Sequence, residues 1–257
     1  MALLEVHGLS KSFGGVTAIA DLDFGVPEGQ VYSVIGPNGA GKTTLFNMLC
    51  GIYSPDEGSI RFLDREIIGR LPHQVAELGV SRTFQNLQMF FNMSVLDNVK
   101  VGCHLRTRSR IWSNALRLPG TRREEKQAER WAREAIHFCG LDDYLESHAD
   151  ALAYGVLKRL EIARALAASP RMLLMDEPAA GLNDTETKQM RSLIRQISGT
   201  GITVLLVEHN MGLVMDVSDR ILVIDYGSRL AEGPPEAIQN DPRVIDAYLG
   251  GEIEYAV

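Results

Sequence analysis

Eight residues, Gly36-Pro37-Asn38-Gly39-Ala40-Gly41-Lys42-Thr43, constrain this chain more than any other stretch. They fit G-x-x-x-x-G-K-[ST] at every fixed position. Before them lies Val31-Tyr32-Ser33-Val34-Ile35, a mostly apolar run suited to a buried parallel strand. After them comes a helical pattern carrying Leu45, Phe46 and Leu49 and closed by Gly51. A strand, a glycine-rich turn and a helix in that order build a cradle. The glycines let the backbone curl so that several N–H groups point inward at a polyphosphate, and the helix adds its positive N-terminal end. Lys42 can reach the β- and γ-phosphates, and the Thr43 hydroxyl can ligate Mg²⁺. The expected contact set is Gly36, Pro37, Asn38, Gly39, Ala40, Gly41, Lys42, Thr43 and Thr44.

The last third supplies what such a cradle needs. Met172-Leu173-Leu174-Met175 and Val204-Leu205-Leu206-Val207 read as short apolar strands, and residues 220–225 as another. Between the first two, Asn183 followed by Glu186 signals a helix start, and Met190, Leu193, Ile194 and Ile197 form its apolar stripe. Asp176 ends its strand, at the carboxyl edge of the sheet, where a carboxylate can act on Mg²⁺ directly or through water. Glu177 follows and is the candidate to deprotonate the attacking water. Alternation of strands and helices around the cradle predicts an α/β parallel sheet. Nearer the start, Leu22, Phe24 and Val26, and later Ile60 and Phe62, alternate with other residues as in β-strands. The middle is helical from about Thr121 to Cys139, with Trp131, Ala135 and Phe138 on one face and Gly140 as the stop.

Charge narrows the partners. The net charge of -7 argues against general nucleic-acid binding, which wants Lys and Arg to offset phosphate. Arg106, Arg108, Arg110, Arg117, Arg122 and Arg123 form a basic stretch, either a solvated loop or a contact for anionic lipid headgroups or a membrane partner. Cys50, Cys103 and Cys139 share no metal-ligand spacing and read as reduced, buried thiols of a cytoplasmic protein. No apolar run approaches the roughly 20 residues that span a bilayer, and the acidic N-terminus does not read as a signal peptide.

A cradle and an acidic strand end suit many ATPases, and further motifs choose among them. Over its full length the chain resembles the ATP-binding cassette (ABC) proteins, with the motifs in the family's order. Gln85, in Arg82-Thr83-Phe84-Gln85-Asn86, is similar to the glutamine that touches metal and nucleophilic water and links the core to a helical subdomain. Leu152-Ala153-Tyr154-Gly155-Val156 resembles the signature motif, Ala180-Gly181-Leu182-Asn183 the D-loop, and His209 the switch histidine at the γ-phosphate. Phe13 stands where an aromatic residue stacks on adenine. Three positions depart from the pattern: Ala153 for serine, Val156 for glutamine and Asn183 for aspartate. With two polar groups missing, the resemblance leaves Gly155 and backbone donors to bind phosphate, with slow hydrolysis by the isolated chain.

The tyrosine in the signature and Gly-Leu-Asn in the D-loop are similar to the cassettes of branched-chain amino-acid importers. So are residues 80–90 and 93–99, the basic insertion and the tail residues 231–234 and 241–250.

The resemblance implies a P-loop NTPase (RecA-like) core with an N-terminal antiparallel β subdomain and an inserted α-helical subdomain. Residues 1–85 and 155–230 would form the β subdomain and core, 86–154 the helical subdomain with the signature, and 231–257 a tail. It also implies ATP and Mg²⁺ as cofactors and Glu177, His209, Gln85 and Lys42 as the catalytic set. Thr43, Gln85 and Asp176 would be the metal set, and Phe13 and Gly155 further nucleotide contacts. The partners would be a second cassette subunit, identical or not, integral membrane permease subunits and, indirectly, a substrate-binding protein, with the chain peripheral on the cytoplasmic face of the membrane. Residues 86–92 (Leu87, Met89, Phe90 and Phe91 among them) would receive a coupling helix from the permease, or else be ordinary core. Lipopolysaccharide-export or urea-import cassettes, a soluble non-transport ABC ATPase and a small-molecule P-loop kinase are the rival readings.

Overall fold

The computed structural model describes residues 2–84, 87–107 and 119–250, with the backbone alone at 119–122 and 249–250. Its centre is β3 (Val31–Ile35), all five of whose residues are buried. A six-stranded sheet forms around it in the order β10-β9-β3-β8-β7-β6. The remaining members are β6 (Val80–Arg82), β7 (Met172–Asp176), β8 (Thr203–Val207), β9 (Arg220–Asp225) and β10 (Ser228–Gly233). Neighbours run parallel except β10, which returns antiparallel to β9. A parallel sheet is covered on both faces, which is why β7 and β8 read as unbroken apolar runs.

Successive side chains still point to opposite faces. Leu173 and Met175 enter one core with Val204 and Leu206. Met172 and Leu174 enter another with Leu205 and Val207. The second core is closed by α1 (Lys42–Leu49) and by a four-stranded antiparallel sheet. That sheet has the order β2 (Val16–Pro27), β1 (Ala2–Phe13), β4 (Glu57–Phe62) and β5 (Arg65–Glu66). Leu22, Phe24, Val26, Ile60 and Phe62 are buried in it as their alternation predicts. The central strand β1 escapes a period-two reading because its register with β2 shifts between Val6 and Leu9 and again before Lys11.

The first core is closed by helices. Between β4 and β6 lies the short α2 (Pro72–Glu77), and after β6 come α3 (Val95–Gly102), α4 (Pro119–Phe138) and α5 (Tyr154–Ala167), which pack on one another. The helical layer thus runs past the boundary expected at residue 154 and includes the whole of α5. On α4 the buried face is Ala128, Ala132, Ala135 and Ile136, continued by Cys139. Trp131 and Phe138, expected on that face, are only half-buried beside it. Alanines let neighbouring helices approach closely, whereas the large rings fit only at the margin.

Of the basic stretch, Arg106 is not a solvated charge: its guanidinium stacks 3.7 Å from the Trp131 ring and donates to the Ala167 carbonyl. Arg108, Arg110, Arg117 and the Arg122 side chain lie outside the described residues. The chain continues through α6 (Asp184–Gly199), α7 (Met211–Val217), α8 (Pro235–Gln239) and α9 (Pro242–Gly250). All three cysteines are free thiols; Cys103 and Cys139 are buried and Cys50 is half-buried. Burial pushes the Cys139 thiol up to about 12. Among the described residues no helix is long and apolar enough to cross a membrane.

Candidate nucleotide site

The loop from β3 into α1 is moulded against backbone. A Cβ on Gly36 would stand 2.0 Å from the Ile224 carbonyl oxygen, and one on Gly41 2.3 Å from that of Ala18. Gly41 is also at φ +102°, where side chains are disfavoured. Strands β2 and β9 therefore press on the loop and fix its curl. Gly41 caps α1, whose first helical bond runs from the Leu45 N–H to the Gly41 carbonyl. The amides ahead of it have no partner within the helix and are available to an anion. Asn38, Gly39 and Thr43 are exposed. Lys42 is buried, and its Nζ donates to the carbonyls of Gly36 at 2.6 Å and Pro37 at 2.8 Å. Burial lowers its pKa, while Glu177 and Asp176 pull it back up.

Sheet topology brings the second half of the site to this loop. Asn38, Gly39, Ala40, Gly41, Lys42, Thr43 and Thr44 line a cleft of about 330 Å³ with Ala18, Val207, Glu177 and His209. β7 ends at Asp176, and Glu177 turns the chain sharply at φ +49°, a conformation that costs a non-glycine residue free energy. The Glu177 N–H donates to the Val207 carbonyl on β8 at 2.9 Å, which holds the turn. Its Oε1 lies 2.8 Å from His209 Nε2. That places a carboxylate, an imidazole and an ammonium at the mouth of one polyphosphate-sized cleft.

Asp176 sits behind the cleft, buried, with Oδ2 bound to Arg82 Nη2 at 2.8 Å. Glu208 is a second buried acid near the cleft. Its Oε1 accepts from the Ala179 N–H at 2.7 Å, and its Oε2 accepts from the N–H groups of His209 and Asn210. Burial raises its pKa, and the like charge of Glu177 adds to that. Glu208 thus ties the segment after Glu177 to the segment carrying His209. Neither Arg82 nor Glu208 was singled out by the sequence motifs. The sole signal for Glu208 is a carboxylate placed immediately after an apolar strand.

The remaining candidates are elsewhere. Phe13 ends β1, exposed, edge-on to Tyr53 with ring centroids 5.3 Å apart, and does not line the cleft. Gln85 and Asn86 lie outside the described residues. Gly155 is in the first turn of α5 and is buried rather than open to an approaching phosphate. A Cβ there would stand 2.4 Å from Glu186 Oε1. Glu186 in turn closes a capping box with Asn183 at the start of α6. The space over Gly155 is therefore taken by a flexible side chain of the same molecule. Ala153, the N-cap of α5, makes no side-chain hydrogen bond.

A larger groove of about 570 Å³ opens beside β6, lined by Arg82, Phe84, Met89, Phe90, Glu161 and Arg164 among others. Residues 87–91 divide between the two expectations for them: Met89 is buried in the core, whereas Phe90 and Phe91 are exposed.

Residues 19–180 match the family model described as ABC transporter, and residues 228–254 match one described as branched-chain amino acid ATP-binding cassette transporter. The chain is 45% identical over 249 residues to the high-affinity branched-chain amino acid transport ATP-binding protein BraF of Pseudomonas aeruginosa, covering 96% of this chain and 98% of that protein. It is 43% identical to the corresponding LivG protein of Escherichia coli over the same shares of the two chains. Among solved structures it is similar to an ATP-binding cassette of an ABC transporter in its ADP conformation. There the TM-score is 0.85 and the identity 31%, over 97% of this chain and 99% of that one. A nucleotide-free cassette gives a TM-score of 0.84 at 30% identity over 96% and 99%. With a family model across most of its length and relatives of this similarity from end to end, the chain belongs to the ABC transporter family, as an ATP-hydrolysing cassette subunit.

Proposed function

We propose that this cassette powers uptake of branched-chain or other hydrophobic amino acids, as one half of a two-cassette sandwich on the cytoplasmic face of the membrane. The observation that carries the catalytic reading is the meeting of the Lys42 loop with the Glu177–His209 pair, 2.8 Å apart, in one cleft. Glu177 accepts the proton of the attacking water, and His209 orients that carboxylate and faces the γ-phosphate. Lys42 and the amides of the loop stabilise charge on the transferring phosphoryl group. Phe13 and the neighbouring Tyr53 offer exposed aromatic surface for adenine.

The Thr43 hydroxyl and the Asp176 carboxylate, with Gln85 as the third expected ligand, would hold Mg²⁺, an ion suited by hard oxygen donors. The ion would supply positive charge to offset that of the phosphate oxygens. In the dimer, the start of α5 would face the nucleotide of the partner cassette once the Glu186 side chain has moved off Gly155. The 570 Å³ groove, with exposed Phe84, Phe90 and Leu105 at its rim, receives a helix of a membrane permease. The amino-acid cargo is supported by the names of the relatives and by the match of residues 228–254.

Replacement of Glu177 by Gln should leave ATP binding intact, trap an ATP-bound dimer visible by size-exclusion chromatography, and lower turnover by about 10²–10⁴-fold. Normal turnover in that variant would refute the assignment of the base. The cargo is tested separately by the membrane subunits that co-purify with the chain and the amino acids whose uptake they support.

A further inference from the structure

Arg82 stands between Asp176, behind the nucleotide cleft, and the apolar groove that it lines. It ends β6, the edge strand paired in parallel with β7, where it lies opposite Leu174. Its fork grips two elements of the site at once: Nη2 donates to Asp176 Oδ2 at 2.8 Å, and Nη1 donates to Asn47 Oδ1, on the cradle helix α1, at 2.7 Å. The guanidinium lies 5.6 Å from the Phe46 ring and 5.3 Å from the Phe84 ring. The ion pair is secluded, the two side chains being 8% and 6% exposed. Beyond Phe84, whose N–H donates to Glu161 Oε1 on α5, the chain reaches Gln85.

A guanidinium held at this many points is not a passive counter-ion. It fixes the rotation of the Asp176 carboxylate by occupying one oxygen, and a carboxylate has a second oxygen to offer a metal or a metal-bound water. Outer partners of this kind set ligand orientation, and losing them typically costs 10–100-fold in metal affinity. A lysine in its place would keep the charge but not the planar fork that joins Asp176 to Asn47.

We infer that Arg82 is a positioning residue for the metal: it orients Asp176 so that Mg²⁺ strengthens nucleotide binding. The inference rests on the reading of Asp176 as a metal ligand, and deepens it.

The test uses the full chain and a non-hydrolysable fluorescent ATP analogue, titrated with Mg²⁺ and again in EDTA. The parent should bind more tightly with Mg²⁺. Arg82→Ala should lose about tenfold or more of that gain, while its affinity in EDTA stays within about twofold of the parent. Arg82→Lys should recover part of the loss. A parental Mg²⁺ gain in both variants overturns the inference. So does an equal loss with and without Mg²⁺, the mark of a structural role, or a lysine variant no better than alanine. Should Arg82→Ala not fold, Arg82→Lys and Asn47→Ala carry the test, each with a reduced Mg²⁺ gain expected and an undiminished gain in both overturning. Asp176→Asn separates the two levels. If it keeps the Mg²⁺ gain, the ligand assignment fails and this inference with it. If it loses the gain while the Arg82 variants do not, only the role of Arg82 falls.

Discussion

Two helices in this molecule begin at a glycine-bearing motif, and their ends are built in opposite ways. The start of α1 is open: Asn38, Gly39 and Thr43 are exposed around amides that no helix bond satisfies. The start of α5 is covered, with Gly155 buried beneath the Glu186 carboxylate and Ala153 offering no cap. The backbone chemistry of the two ends is the same, four N–H groups and a partial positive charge. What differs is the neighbour. Around α1 it is main chain, the carbonyls of Ala18 and Ile224, so the cradle is rigid and preformed. At α5 it is the end of a long acidic side chain, which occupies the space over Gly155 from within the same molecule. A helix N-terminus is thus an anion site only when its surroundings leave room for the anion.

Alanine at the two glycines should separate these ends most strongly. Gly41→Ala meets a backbone oxygen at a left-handed φ, which together cost about 2–5 kcal/mol. Thermal melts should show a fall of roughly 10 °C, with nucleotide binding lost. Gly155→Ala meets only the flexible end of Glu186; displacing it forfeits a cap worth about 1 kcal/mol, against a similar gain in helix propensity. Its Tm should stay within about 4 °C of the parent. Equal losses in the two variants would break the contrast between a backbone mould and a side-chain cover.

A smaller effect is expected from Ala153→Ser, which gives α5 the hydroxyl cap it lacks. Stability should rise by about 1 kcal/mol, seen as a Tm increase of roughly 2–4 °C. No increase would mean that the first amides of α5 are already satisfied, by Glu186 or otherwise.

The smallest effect concerns Glu208, which fastens the segment leading from β7 toward Glu186. Burial holds its carboxyl above the usual range, so the native state keeps a proton that the unfolded chain has released. The stability this group contributes is complete below the unfolded pKa and is lost as pH rises through the native one. Glu208→Gln removes that dependence, so the Tm gap between parent and variant should narrow as pH rises from about 4 to 7. A gap that widened over that interval would reverse the sign of the shift.

Much of the molecule is legible along the chain because its rules are local. The run 31–35, the helix that follows Gly41 and the Asn183–Glu186 capping box are each recognisable within a few residues, and each forms as expected. Where local rules fail, a distant partner has intervened. Strand β1 is hidden by bulges against β2, and α4 turns its alanines inward because α3 and α5 press on it. The Glu177–His209 pair was half visible: each residue could be named, while their 2.8 Å contact depends on β7 and β8 being neighbours.

The amino-acid sequence by itself determined the cradle, the acidic strand end, the parallel α/β class and the family resemblance, because spacing, glycine sterics and hydrophobic period act between residues close in the chain. Only the tertiary structure decided that Asp176 is gripped by an arginine 94 residues earlier and that Gly155 lies under Glu186 instead of standing open. Both contacts join segments that meet only after the sheet has ordered its strands and the helices have packed against it, and a side chain's chemistry there is set by the neighbour that packing supplies.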